Sequence, residues 1–283
     1  MVFEVNFLFG LALIWIIFAT IQDIRTREIA NWLNFSLVLF ALGFRFFYSL
    51  FEMPGLTFFY QGLIGFLIFY ALSELFYYGK MFAGGDAKLM MALGAVLPWS
   101  LNLFTNVKIF FMFLTLFLVI GALYGLVVSI VFGFLNFSRL KKELKVQLKK
   151  KRNFVFTLLA LASVLLILSF FESMFFSFGI FVFIIPYFYL YIKSVDEACM
   201  VKKIKPSKLT EGDWLYENTK VGKKTIKATW DGVSLEDIKL LRKNKFVLVR
   251  YGIQFAPVFL MSFILLWLVW EFGIFGIGKF FGL

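Results

Sequence analysis

Long apolar runs, separated by short polar or basic breaks, decide what this chain can fold into. A helix needs about 20 apolar residues to cross roughly 30 Å of hydrocarbon. Residues 3–21, 33–51, 58–78 and 110–135 clearly provide such runs. Residues 154–171 and 175–192 read as a hairpin turned at Glu172-Ser173, and residues 253–270 form a last run. Residues 87–103 are shorter and broken by Pro98, which reads as a half-deep helix. Composition agrees: 61% of residues are hydrophobic and 16% charged, against about half and about a quarter in soluble domains. The expected fold class is an all-α polytopic membrane protein of six to eight transmembrane helices, with a small cytoplasmic α+β insert before the last helix. The first run leads with Glu4 and lacks a small-residue cleavage site, so it reads as a retained helix rather than a signal peptide.

Basic residues orient these segments, because cytoplasmic loops of membrane proteins carry an excess of Lys and Arg. With eight segments and the N-terminus outside, the inner loops hold Arg25 and Arg27, then Lys80 and Lys88. They also hold the Lys/Arg-rich stretches 139–152 and 193–250, leaving only Arg45, Lys108 and Lys279 to the outer half. The expected location is the cytoplasmic membrane. The net charge of +12 then reflects orientation and anionic head groups. No nucleic acid is expected as a partner, since the basic stretches lack interleaved aromatics for base stacking.

What the chain lacks narrows its chemistry. It has no histidine, which removes Ser-His-Asp and Cys-His arrangements and HExxH zinc sites. Its one cysteine, Cys199, excludes an internal disulfide and a CxxC module. No phosphate-cradling glycine loop with a following Lys-Ser/Thr occurs. No metal or cofactor is expected. Carboxylates remain the strongest catalytic candidates. Two of them, Asp23 and Asp86, lie at the edges of apolar runs, where an ionised carboxylate costs about 2.5–3.5 kcal/mol at membrane depth. On the expected topology both lie near the cytoplasmic face. Two adjacent carboxylates cannot easily both ionise, so they share a proton and can divide the roles of base and acid. Gly84 and Gly85 precede Asp86 and would allow positive φ or close backbone approach.

The flanks of both aspartates carry a resemblance. Asp23 opens Asp23-Ile-Arg-Thr-Arg-Glu-Ile-Ala-Asn31, and Asp86 ends Ala83-Gly84-Gly85-Asp86 before Ala87-Lys88. This resembles the type IV prepilin peptidases, more narrowly the archaeal preflagellin peptidases, which are intramembrane aspartyl proteases of the GxGD class. The resemblance implies catalysis by Asp23 and Asp86, with Ile29, Asn31, Gly84, Gly85 and Lys88 as matching motif positions. Ala30 stands where the family has proline, leaving the start of the second helix less sharply fixed. Ala83 replaces the first glycine of the second motif. The resemblance covers about residues 1–130, with a weaker archaeal pattern in Lys208-Leu-Thr-Glu-Gly-Asp-Trp-Leu215, the segment from Asp231 to Ile238 and a last helix with Ala256-Pro257. Ala256-Pro257 also resembles part of the PAL motif of presenilin-like enzymes, but Gln22 stands where a tyrosine precedes their aspartate.

The implied substrate is an archaellin or pilin-like precursor with a short basic leader before an apolar helix. Glu28 and Glu74 are candidate partners for leader Lys or Arg. Each has a plainer reading: a solvated loop acid for Glu28, an inter-helix hydrogen bond for Glu74. Lys88 reads as an interfacial anchor, Asn31 as a helix cap or hydrogen-bond donor. An ion-coupled transporter using Asp23, Glu74 and Asp86, or an inactive assembly scaffold, are the alternatives.

Five parts are expected: catalytic helices 1–138, a basic amphipathic connector 139–153, a transmembrane hairpin 154–192, a small cytoplasmic domain 193–250 and a last helix 251–283. Within the small domain, two or three short strands are expected between Leu209 and Trp230. Asp231-Gly232 reads as a turn, and Ser234 to Asp237 as a helix-capping sequence.

Overall fold

A computed structural model of the chain describes residues 2–222, 224–230 and 232–272. Asp231 of the expected turn, Lys279 and the end of the expected last segment lie outside these residues. The chain divides into two compact units, one of residues 1–125 with 254–283 and the other of residues 126–253.

The first unit is built on α1 (Val2–Thr26), α2 (Asn31–Glu52), α3 (Thr57–Tyr78), α4 (Gly84–Val96), the first part of α5 (Leu103–Leu135) and, much later in the chain, α10 (Ala256–Phe272). The 22-residue α2 and α3 are each about 33 Å long at 1.5 Å per residue, enough to span a bilayer. By length and composition five helices qualify as spans: α1, α2, α3, α5 and α8 (Met174–Val195) with its continuation to Met200. A sixth arises if α6 (Phe137–Lys150) and α7 (Arg152–Leu168), bent by 77° at their junction, count as one. The chain is a multi-pass helical membrane protein.

Helix α4 is the exception that shapes the unit. Its 13 residues reach about 20 Å, too short to cross. Residues 89–99 are nonetheless buried throughout. Two glycines admit α4 to the interior: a Cβ on Gly65 of α3 would strike the Gly94 carbonyl of α4, and a Cβ on Gly94 would strike the Gly65 carbonyl and Phe69. The helices therefore meet backbone to backbone.

Pro98 then ends α4, since it offers no N–H to the Gly94 carbonyl. The next carbonyls are taken by Arg45 of α2, whose Nε donates to Ala95 (2.9 Å) and whose Nη2 donates to Val96 (3.0 Å) and Pro98. Its Nη1 donates to the Phe58 carbonyl (3.1 Å), and its guanidinium lies 4.3 Å from the Phe58 ring centroid. Arg45 is fully buried. In lipid each unpaired backbone group costs several kcal/mol, so irregular backbone at that depth needs such a partner. A second polar cluster fixes the following loop: Asn106 Nδ2 donates to Gln61 Oε1 (2.9 Å) and the Ser100 carbonyl (2.7 Å).

The second unit holds the end of α5, then α6, α7 and α8, then a small α+β domain. In the α7–α8 hairpin Leu166 packs where Gly179 has no side chain. The domain has a three-stranded antiparallel sheet ordered β1 (Val201–Ile204), β5 (Val247–Arg250), β2 (Trp214–Leu215). It also has a hairpin of β3 (Thr219–Val221) and β4 (Lys224–Ile226), and a helix α9 (Leu235–Leu241). Leu215, Val221, Ile226, Ile238, Leu241 and Val249 form its core. Three strands fall in the expected interval, while β1 and β5 lie outside it. Gly232 does sit at a turn, with φ of 77°. Ser234 and Asp237 form the expected capping box: Ser234 Oγ accepts from the Asp237 N–H, and Asp237 accepts from the Ser234 N–H. Ser234→Ala should lower the domain's stability by about 1 kcal/mol, read as an earlier urea midpoint with unchanged slope.

Candidate active site

Asp23 sits in the last turn of α1, buried at 7% exposure. Its Oδ2 accepts a hydrogen bond from the Ala256 N–H (3.0 Å). Ala256 opens α10 with Pro257 as its second residue, so a carboxylate meets the N-terminal end of a helix, where unpaired N–H groups and the helix dipole favour negative charge. The approach depends on Gly121 of α5, whose Cβ would lie 2.9 Å from the Phe255 ring. Tyr124, one turn further along α5, is close enough to Asp23 to feel its charge.

Asp86 lies in the first turn of α4 and is half-buried. It and Asp23 are near enough for their charges to repel. The structure thus brings together the two carboxylates that lie at the edges of separate apolar runs. Two contacts from α2 flank Asp86. Asn34 Nδ2 donates to the Gly85 carbonyl (3.3 Å) and Lys88 Nζ donates to Asn31 Oδ1 (2.6 Å). Asn31 and Asn34 are three residues apart and so share one helix face. Asn34 carried no sequence signal beyond its spacing from Asn31. Two buried polar atoms in this region, Asn34 Oδ1 and Thr20 Oγ1, have no hydrogen-bond partner among the described residues.

Three local expectations are corrected. Gly84 and Gly85 do not have positive φ among the described residues. The need at Gly85 is space, because its Cβ would come 3.2 Å from Ile29 Cβ and 3.4 Å from its backbone nitrogen. Positive φ occurs instead at Arg27 (63°) and Lys80 (61°), where the chain leaves α1 and α3. Asn31 is not the cap of α2: Ala30 is, in extended backbone, and the Asn31 side chain goes to Lys88. The start of α2 is also well fixed. The Ala30 N–H donates to Gln22 Oε1 (3.1 Å), a bond that proline could not make. Gln22→Ala should loosen this turn, costing about 1 kcal/mol of stability; hydrogen exchange at Ala30 would report it as lost protection.

The remaining candidates stand apart. Glu28 is exposed in the α1–α2 loop. Glu74 is half-buried near the end of α3, and no hydrogen bond or ion pair engages its carboxylate among the described residues. The inter-helix hydrogen bond expected for Glu74 is therefore not formed.

Residues 10–137 match the model of the type IV leader peptidase family. The match covers less than half of the chain. It contains both aspartates and the residues of α2 that flank Asp86, while α10 lies outside it. A preflagellin peptidase from Methanocaldococcus jannaschii is 33% identical over 94 residues, which covers 33% of this chain and 38% of that relative. No solved structure matches the chain. The matching segment runs from within α1 to just past the end of α5 at Leu135.

Proposed function

We propose that the chain is an intramembrane aspartyl endopeptidase that removes short basic leaders from archaellin or type IV pilin-like precursors. The observation that carries this reading is the convergence of Asp23 and Asp86 within a segment that matches the type IV leader peptidase family. The aspartates share one proton. The ionised carboxylate takes a proton from a water that attacks the scissile carbonyl. The protonated one gives its proton to the carbonyl oxygen, forming a tetrahedral diol. As the C–N bond breaks, the first aspartate passes the proton it took from water to the leaving amine, and the second recovers a proton from the diol. No covalent intermediate forms. Asn31, Asn34 and Lys88 hold the turn that carries Asp86.

The substrate arrives as a basic leader ahead of an apolar helix and is cut at the cytoplasmic face of the cell membrane. The positive-inside distribution of Lys and Arg supports that side. Glu28 and Glu74 offer carboxylates to the leader's Lys or Arg, and the absence of a partner on Glu74 among the described residues supports its part. The division of labour is catalytic helices, basic connector, transmembrane hairpin, small cytoplasmic domain and closing helix. The test is cleavage, in membranes, of a synthetic precursor with a Lys/Arg-Gly leader before an apolar helix. The reading requires cleavage at the junction. An intact precursor across a panel of such leaders would reject it. Glu74→Gln should raise KM for a basic leader about three- to tenfold and leave kcat within twofold, a pattern that removal of a contact made equally in the ground and transition states produces.

A further inference from the structure

Arg45 lies far along α2 from the aspartates, and no motif includes it. It is fully buried, and its partners are the carbonyls of Phe58, Ala95, Val96 and Pro98 together with the Phe58 ring. No carboxylate is among them within the described residues. A desolvated guanidinium without a counter-ion is costly to keep, and Arg is the side chain whose planar fork can engage several oxygens at once. Two of its four carbonyls, Ala95 and Val96, belong to the C-terminal end of α4, and a third, Pro98, lies just beyond it. Asp86 stands at the other end of that helix.

We infer that Arg45 is a positioning residue for Asp86, acting through α4 as a rigid rod; the inference rests on the reading of Asp86 as catalytic. The geometry supports transmission. The far end of α4 is fixed by Arg45 and, within the same last turn, by the backbone contact between Gly65 and Gly94. The near end is held by the Asn34–Gly85 and Lys88–Asn31 hydrogen bonds, one of them at 3.3 Å, and by the packing of Gly85 on Ile29. A shift at the C-terminal end therefore tilts the rod and moves Asp86 relative to Asp23. Misplacement of a reacting group by about 1 Å can cost about 10²-fold in rate. The site around Arg45 is itself tight: a Cβ on Gly62 of α3 would overlap its Cδ and lie 2.8 Å from its Nε.

Two variants test this without depending on one fold outcome. Arg45→Lys keeps the charge and loses the fork. Gly62→Ala keeps the guanidinium and displaces its stem. Each should lower kcat at least about tenfold per folded molecule, with KM within twofold. A second readout needs no catalysis. In a Cys199→Ser background, Ile29→Cys with Gly85→Cys places two thiols at neighbouring Cβ positions, and their disulfide forms at a rate set by the position of the α4 N-terminal turn. Both variants should slow that rate about fivefold or more. An unchanged cross-linking rate with an unchanged kcat per folded molecule, even if less protein folds, would overturn the inference and leave Arg45 as a stability residue. Asp86→Asn is run beside them. If Asp86→Asn cleaves like wild type, the catalytic reading of Asp86 fails, and the cross-linking rate still decides whether Arg45 places that turn.

Discussion

Asp23→Asn and Asp86→Asn should each lower precursor cleavage at least about 10³-fold with the fold intact. Each substitution keeps side-chain volume and removes one group that can gain or lose a proton, and positioned acid–base groups contribute about 10²–10⁴-fold. Asn at position 23 can still accept from the Ala256 N–H, so the contact that ties α1 to α10 survives. Asn at position 86 keeps the side chain's volume and removes no hydrogen bond that fixes α4, so its Tm should stay close to wild type. The sharper expectation concerns the double variant. Two groups that act as a unit give non-additive losses, so Asp23→Asn with Asp86→Asn should be no slower than either single variant. A single variant retaining more than about a tenth of wild-type kcat would sink the two-aspartate mechanism. A double variant about 10³-fold below the singles would show that the two carboxylates work independently.

The second large effect is on stability. Gly94→Val should lower stability by at least about 3 kcal/mol, with Gly65→Val close behind. Overpacking a core commonly costs about 1–3 kcal/mol when side chains can yield. Here the obstacles facing both glycines include backbone carbonyls of the opposite helix, which cannot rotate away. Gly43 of α2 is the control, because nothing lies within 4 Å of a Cβ placed there. Gly43→Ala should be neutral or stabilising by up to about 1 kcal/mol, the usual helix preference for alanine over glycine. Thermal unfolding in detergent separates the two cases. Equal Tm values for Gly94→Val and Gly43→Ala would mean that α3 and α4 do not meet as closely as described.

The spans were legible in the sequence because lipid imposes a length and a composition on them. Each expected run from residue 3 to residue 192 corresponds to a helix in nearly the same place, and Pro98 correctly marked the shortness of α4. Ser234 and Asp237 were legible because a capping box is a local chemical pattern. The partners of Arg45 were not, since they are carbonyls, which every residue carries and no sequence pattern advertises. The same holds for the Ala256 N–H on Asp23. Strands β1 and β5 pair Val201 with Arg250 and Ile204 with Val247. Their short, basic segments give little alternation to read, and the register comes from a partner more than 40 residues away. Ala30 was misread because a missing proline suggested a looser turn, whereas the amide it frees binds Gln22.

The hydrogen bond from Ala256 to Asp23 spans 233 positions of the chain. During synthesis both aspartates emerge well before the donor that orients one of them. A ribosome-bound intermediate carrying α1 to α5 would own both carboxylates yet lack the N–H that sets Asp23. On the proposed function, such an intermediate would sit in the same membrane as the precursors without being ready to cut them. Competence, on the same proposal, would arrive only with α10, so that translation itself would time the onset of proteolysis.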